Sequence, residues 1–237
     1  MIHISHVSKW YKKKQVLFDF SMNIKTEENM IYGLIGPNGA GKTTFIKLVS
    51  GILYYSEGSI TVDENQNYDE WCKNNVVLIA AGERGMRNKN TVYDNVMLFA
   101  AMKGVKEEHV KGLIKRYAEI LNYTDFLTRR IETLSMGEKK KAMLLCGLCT
   151  DMKLIIMDEP SNGLDIDAQC ELKQIIRKLA EEFNKTFIIS SHDLGFVSEI
   201  VNSYVFIFDG KNVNIENKSM QNDEIQEKYY EIKKGLL

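Results

Sequence analysis

The stretch Gly36-Pro37-Asn38-Gly39-Ala40-Gly41-Lys42-Thr43-Thr44 decides how the rest of the chain is read. It fits the pattern G-x-x-x-x-G-K-[ST], and its flanks supply the context that gives the pattern meaning. The apolar run Met30 to Ile35 before it reads as a strand, and Lys42 to Ser50 after it reads as a helix closed by Gly51. Glycines let successive backbone N–H groups converge on phosphate oxygens with no Cβ in the way, and the helix N-terminus adds partial positive charge. The candidate nucleotide-binding residues are Gly36, Asn38, Gly39, Ala40, Gly41, Lys42, Thr43 and Thr44. Lys42 is expected to reach the β- and γ-phosphates, and the Thr43 hydroxyl to help hold Mg²⁺. A glycine-rich turn that only caps a helix accounts for the glycines, but not for the strand, the lysine and the hydroxyl together.

A second apolar strand, Leu154-Ile-Ile-Met157, ends in Asp158-Glu159-Pro160. Ligands of α/β sheets gather at the carboxyl ends of strands, where the phosphate loop also lies. Adjacent residues on an extended chain point to opposite sides, so the two carboxylates are expected to do different work. Asp158 is assigned to Mg²⁺ and Glu159 to positioning and deprotonating an attacking water. On its own such a strand end is often just solvated; paired with the phosphate loop it is a strong signal. A third strand, Thr186 to Ser190, runs into Ser191-His192-Asp193. The same edge places His192 near the γ-phosphate, where an imidazole can sense or stabilise developing charge.

These strands alternate with helices, among them Ala168 to Phe183, and a further apolar run follows at Tyr204 to Phe208. Buried strands without polar alternation, joined by helices, indicate a parallel sheet covered on both faces. Ahead of it, His3 to Lys9, Val16 to Ile24 and Gly58 to Val62 read as short strands of an antiparallel region. From about residue 85 to 150 the pattern turns to amphipathic helix, with Val92, Val96, Phe99 and Ala100 on one face. The expected organisation is a single α/β domain over 1–237. Its core lobe is 1–84 with 151–217, its helical insertion 85–150, and its C-terminal tail 218–237.

The 237 residues carry 31 Lys+Arg against 32 Asp+Glu, a formal net charge of −1 that argues against nucleic acid as the main partner. No apolar stretch approaches the roughly 18 residues of a spanning helix, and MIHISHVSKW lacks the apolar run of a signal peptide. A cytosolic or membrane-peripheral chain is expected. Four cysteines are too few to staple a fold of this size. Cys146-Gly-Leu-Cys149 has C-x-x-C spacing, but it sits in the apolar run AMLLCGLC with no second metal-spaced pair. It reads as two thiols of a core helix.

With Leu134-Ser135-Met136-Gly137-Glu138 added, the chain resembles the ATP-binding subunits of ABC transporters over nearly its whole length. That pentapeptide is similar to the family's signature L-S-G-G-Q, and it lies after the helical insertion and before the Asp-Glu strand. A local reading is compatible with it. Ser135-x-x-Glu138 is a capping box starting a helix through Met143 and Leu148, and a helix N-terminus is itself an anion site. Lys139, Lys140 and Lys141 follow, read as a solvated face whose unfavourable position on the helix dipole a nearby anion would relieve. Ser161 to Asp165 resembles the D-loop, with Ile166 where a proline is common. Tyr11 resembles the aromatic that stacks on adenine, beside Val16, although the neighbouring Trp10 leaves the choice of ring open.

The resemblance implies a P-loop NTPase of the ABC type whose ligands are ATP and Mg²⁺. Ser135, Gly137 and Glu138 would complete a site on a second copy of the chain, or on a homologous cassette, and His192 would be the switch histidine. A separate integral-membrane permease would hold the subunit on the inner face of the cell membrane. Two departures stand out. Met136 and Glu138 replace a glycine and a glutamine of the signature, and the loop after Val76 to Ala80 has no glutamine, leaving Glu83 as the candidate metal-side substitute. That loop, and a short tail with no room for an importer-style regulatory domain, point toward export. Two other readings stay open: a soluble ABC-type ATPase of translation or DNA maintenance, and an ATP-binding immunity or regulatory module of low turnover.

Overall fold

Strands without polar alternation need cover on both faces, and four here are buried from end to end. They are β3 (Ile31–Ile35), β6 (Leu154–Asp158), β7 (Thr186–Ser191) and β8 (Ser203–Phe208). A computed structural model describes every residue except 27, 64–66, 81–84, 217 and 236–237. In it these strands join β5 (Val76–Ile79) and β9 (Lys211–Glu216) in a six-stranded sheet of order β5-β6-β7-β3-β8-β9. All its pairings are parallel except β8 with β9. The expected strands β1 (Ile2–Tyr11), β2 (Lys14–Ile24) and β4 (Glu57–Val62) form a separate antiparallel sheet of order β2-β1-β4.

The pleat sends alternate side chains to opposite cores. On β3, Ile31 and Ile35 enter one cluster, and Tyr32 and Leu34 enter the other. The second cluster lies under the antiparallel sheet, α1 (Lys42–Val49) and α2 (Tyr68–Asn75). The first is covered by α3 (Val92–Met102), α4 (Glu107–Ile120), α5 (Met136–Leu148), α6 (Ile166–Phe183), α7 (Leu194–Ile200) and α8 (Asn222–Gly235). Val92, Val96 and Ala100 are fully buried, as the helical spacing requires, and Phe99 packs at the margin. The segment after Lys218 is no loose end, because Met220, Ile225 and Ile232 enter the same core and Tyr229 meets Phe208.

Cys146 and Cys149 are buried free thiols, and burial pushes the Cys146 thiol up to about 12, which suits core packing rather than redox chemistry. No helix of the described residues is long and apolar enough to cross a membrane. Glu83 lies outside the described residues.

Candidate active site

Strand order and register assemble the site. With β6, β7 and β3 adjacent and parallel, their carboxyl ends share one edge, and Asp158 stands in register with Ser190 while Ile35 stands in register with Ser191. The loop after β3, the carboxylates at the end of β6 and the histidine after β7 therefore meet, as is usual where ligands bind α/β sheets.

The phosphate loop turns at Gly41, whose φ of +106° and near contact with Leu17 and the Val16 carbonyl leave no room for a side chain. Gly41 is also the N-cap of α1 and makes no side-chain cap, so the first N–H groups of that helix are not satisfied by a capping side chain. A Cβ on Gly39 would stand in open space over the loop. Val16, Asn38, Gly39, Gly41, Lys42, Thr43, Thr44 and Glu159 border a cavity of about 290 Å³ together with Pro37. Ala40 is buried beneath it, its carbonyl accepting from the Gly210 N–H at 2.9 Å.

Lys42 is 6% exposed, and its ammonium donates to the Gly36 carbonyl at 2.6 Å and pairs with Glu159 at 3.4 Å. The other oxygen of Glu159 meets His192 Nδ1 at 2.8 Å. Thr43 donates its hydroxyl to Asp158 Oδ2 at 3.0 Å, while Ser190 donates to Oδ1 at 2.5 Å. The hydroxyl of Ser190 also accepts from the Glu159 N–H at 3.0 Å, so one serine fixes both carboxylate residues. No motif marks Ser190 as a site residue; its signal in the sequence is its place at the end of TFIISS, and the structure sets it opposite Asp158.

The donor set suits a nucleotide with a divalent ion. The described residues contain no cluster of three His, Cys, Asp or Glu side chains that would hold a metal unaided. A hydroxyl beside one carboxylate is instead the kind of partial set that Mg²⁺ completes with phosphate oxygens and water.

The signature residues occupy a different place. Ser135 is the N-cap of α5, its hydroxyl accepting from the Glu138 N–H at 3.3 Å while Glu138 accepts from the Ser135 N–H at 2.6 Å. Burial works to raise the Glu138 pKa, but the Ser135 bonds and Arg129 at 3.3 Å outweigh it and hold the carboxyl below its ordinary range. Ser135, Gly137 and Glu138 do not border the phosphate cavity. Met136 is 43% exposed and lies over Gly163 of the D-loop-like turn. Tyr11 is 44% exposed, with the Lys9 ammonium 5.7 Å from its ring centroid. Neither Tyr11 nor Trp10 borders the cavity, whereas Val16 does.

The lysine run corrects one expectation. Rather than a solvated face, Lys140 donates to the carbonyls of Pro160 and Asn162, and Lys141 pairs with Glu171 of α6 at 2.6 Å. Main-chain acceptors on the neighbouring turn draw Lys140 inward and a carboxylate of α6 draws Lys141, which helical spacing alone does not reveal.

A buried lysine and a helix N-terminus with no capping side chain, near a hydroxyl–carboxylate pair and a second carboxylate beside an imidazole, fit the phosphate site expected of a P-loop nucleotide hydrolase. The particular family follows from comparison: this chain belongs to the ABC transporter family, whose profile matches residues 19–162, and it is an ATP-binding, ATP-hydrolysing subunit of that type. It is 29% identical over 215 residues to the ABC transporter ATP-binding protein NatA of Bacillus subtilis (strain 168), covering 89% of this chain and 87% of that one. It is 33% identical over 213 residues to the lantibiotic transport ATP-binding protein SrtF of Streptococcus pyogenes, covering 89% and 88%. Its fold matches the ATP-binding cassette MJ0796 in a dimeric post-hydrolysis state bound to ADP and Pi. That match has a TM-score of 0.78 at 21% identity and covers 92% of this chain and 98% of that one.

Proposed function

We propose that two cassettes, copies of this chain or one copy and a homologue, close on ATP and Mg²⁺ and drive transport, in the export direction, through a separate membrane permease. The carrying observation is a split arrangement: the residues assigned to phosphate, metal and base lie together in one chain, while Ser135 and Met136 are exposed at another helix N-terminus. In this reading Ser135 and Gly137 of one cassette meet the γ-phosphate held by Lys42 of the other. Each ATP then lies between two chains in a two-fold arrangement. Closure is favoured because only the closed form satisfies the γ-phosphate from both sides.

A divalent ion at Thr43 and Asp158, with Glu83 as a further candidate contact, would neutralise charge developing on the β- and γ-phosphates. ATP displaces Lys42 from Glu159 toward phosphate, which leaves the carboxylate to take a proton from the attacking water. The water oxygen bonds to the γ-phosphorus as the bridging bond breaks, and ADP leaves with the electron pair. His192, already on Glu159, keeps the base oriented and contacts the departing phosphate. Tyr11 is the candidate platform for adenine, beside Val16.

The exporter-like loop sequence around Glu83 supports export, and one relative is named for lantibiotic transport. The permease would hold the chain at the cytoplasmic face of the membrane. Glu159→Gln is expected to keep ATP binding and lower steady-state turnover by about 10²–10⁴-fold, the usual contribution of a general base. Turnover within a few-fold of the parent protein would refute the assignment.

A further inference from the structure

Glu159 has a φ of +49°, a backbone region that residues with a side chain seldom occupy. Such a conformation persists only where the surroundings over-determine it. On the N-terminal side, the Glu159 N–H is held by the carbonyl of Ser190 at 3.1 Å and by its hydroxyl at 3.0 Å. On the C-terminal side, the Asn162 N–H reaches the Glu159 carbonyl at 3.3 Å, a weak closure for a turn that must aim a reactive carboxylate.

Lys140 supplies what that closure lacks. It stands in the first turns of α5, and its ammonium donates to the carbonyls of both Pro160 and Asn162, the residues just past Glu159. With Met143 of the same helix it borders a small cavity shared with Met157, Asp158, Glu159 and Pro160. Among the described residues no carboxylate pairs with Lys140, and burial holds its pKa below that of an ordinary lysine. The two carbonyls are thus the visible compensation for bringing that charge out of water. Lys141, one residue on, is tied to the Glu171 side chain instead.

We propose that Lys140 is a positioning residue that ties the turn carrying Glu159 to the signature helix and so sets the aim of the base. The proposal rests on the reading of Glu159 as general base. Lys140 does not border the phosphate cavity, so its effect falls on the chemical step and not on nucleotide binding. It also links the helix whose N-terminus is Ser135 to the base of the same chain. Movement of the signature on closure is therefore passed to Glu159.

The test compares Lys140→Met, Lys140→Arg, Lys141→Met and Glu159→Gln in the purified full chain. Steady-state kcat and KM for ATP, equilibrium affinity for a nucleotide analogue and thermal midpoint are measured for each. Lys140→Met keeps the packing stem and loses the donors, so kcat is expected to fall about 10–100-fold, the scale of a slightly misplaced reacting group. KM and analogue affinity should stay within about twofold, the midpoint should match that of Lys141→Met, and Lys140→Arg should recover most of kcat. Unchanged kcat in Lys140→Met, alongside a Glu159→Gln that has lost turnover, overturns the proposal and leaves the general base standing. A rise in KM at constant kcat overturns it too, by showing a binding role. Normal turnover in Glu159→Gln overturns the base assignment itself and the proposal with it. If Lys140→Met does not fold, Lys140→Gln, which keeps an amide donor, is scored by the same kinetic split with a smaller loss expected.

Discussion

Two helix N-termini in this molecule are suited to anions, and they are finished differently. The start of α1 has no capping side chain, faces a cavity and is surrounded by Lys42, Thr43, Asp158 and Glu159. The start of α5 is closed by its own capping box and exposed at Ser135 and Met136. One terminus leaves its first donors without a capping side chain beside a cavity; the other satisfies its own donors through Ser135 and Glu138. Glu138 sharpens the contrast, because its negative charge already complements the dipole at the start of α5, whereas the first turn of α1 has no acidic residue.

That comparison can be broken by experiment, and the largest effect belongs to α1. Lys42→Ala removes charge-assisted bonds to phosphate worth about 2–3 kcal/mol, so nucleotide affinity of the single chain should fall ~100-fold in a titration with a fluorescent ATP analogue. Parental affinity would mean that the cavity at α1 is not the nucleotide site. Ser135→Ala should leave that single-chain affinity alone. It should lower steady-state turnover roughly 10-fold, and unfolding stability by about 1 kcal/mol through the lost cap. Ser135→Asn, which can still cap, separates the two effects: stability returns and turnover does not. A loss of single-chain affinity in Ser135→Ala would erase the distinction between the two termini.

The smallest expected effect is acid loosening of α5. Because folding lowers the Glu138 pKa, its contribution is fully present above the unfolded carboxylate value and is lost as pH falls through the lower folded value. Protection against amide exchange at the first turn of α5, relative to the intrinsic rate at each pH, should fall over that acid window, while protection at the start of α1 shows no such step from this cause. Equal protection of α5 across the window would show that Glu138 does not hold the box.

Much of the site was legible because its parts are local. The glycines, Lys42 and Thr43 are contiguous, Asp158 and Glu159 close one apolar strand, and Ser135 with Glu138 spells a capping box in four residues. The anionic partner of Lys42 was not legible. Neither was the double role of Ser190, since it depends on Asp158 standing opposite it across two parallel strands far apart in sequence. Lys140 was read as a solvated cation because helical periodicity reports a face and not what a neighbouring turn offers to it. The two candidate rings for adenine differ in burial, which their adjacency in sequence does not reveal: Tyr11 is exposed at the strand end and Trp10 is half-buried.

The sequence alone determined the alternation of buried strands and helices, the phosphate loop and the two carboxylates. Each of these follows from side-chain period, glycine freedom and residues adjacent in the chain. Tertiary structure decided which strand ends meet, how Glu159 is held between Lys42, His192 and Ser190, and why the signature turn lies outside that cavity. Those outcomes depend on strand order and parallel register, which no local pattern encodes because hydrogen bonding between strands is indifferent to the length of chain that separates them.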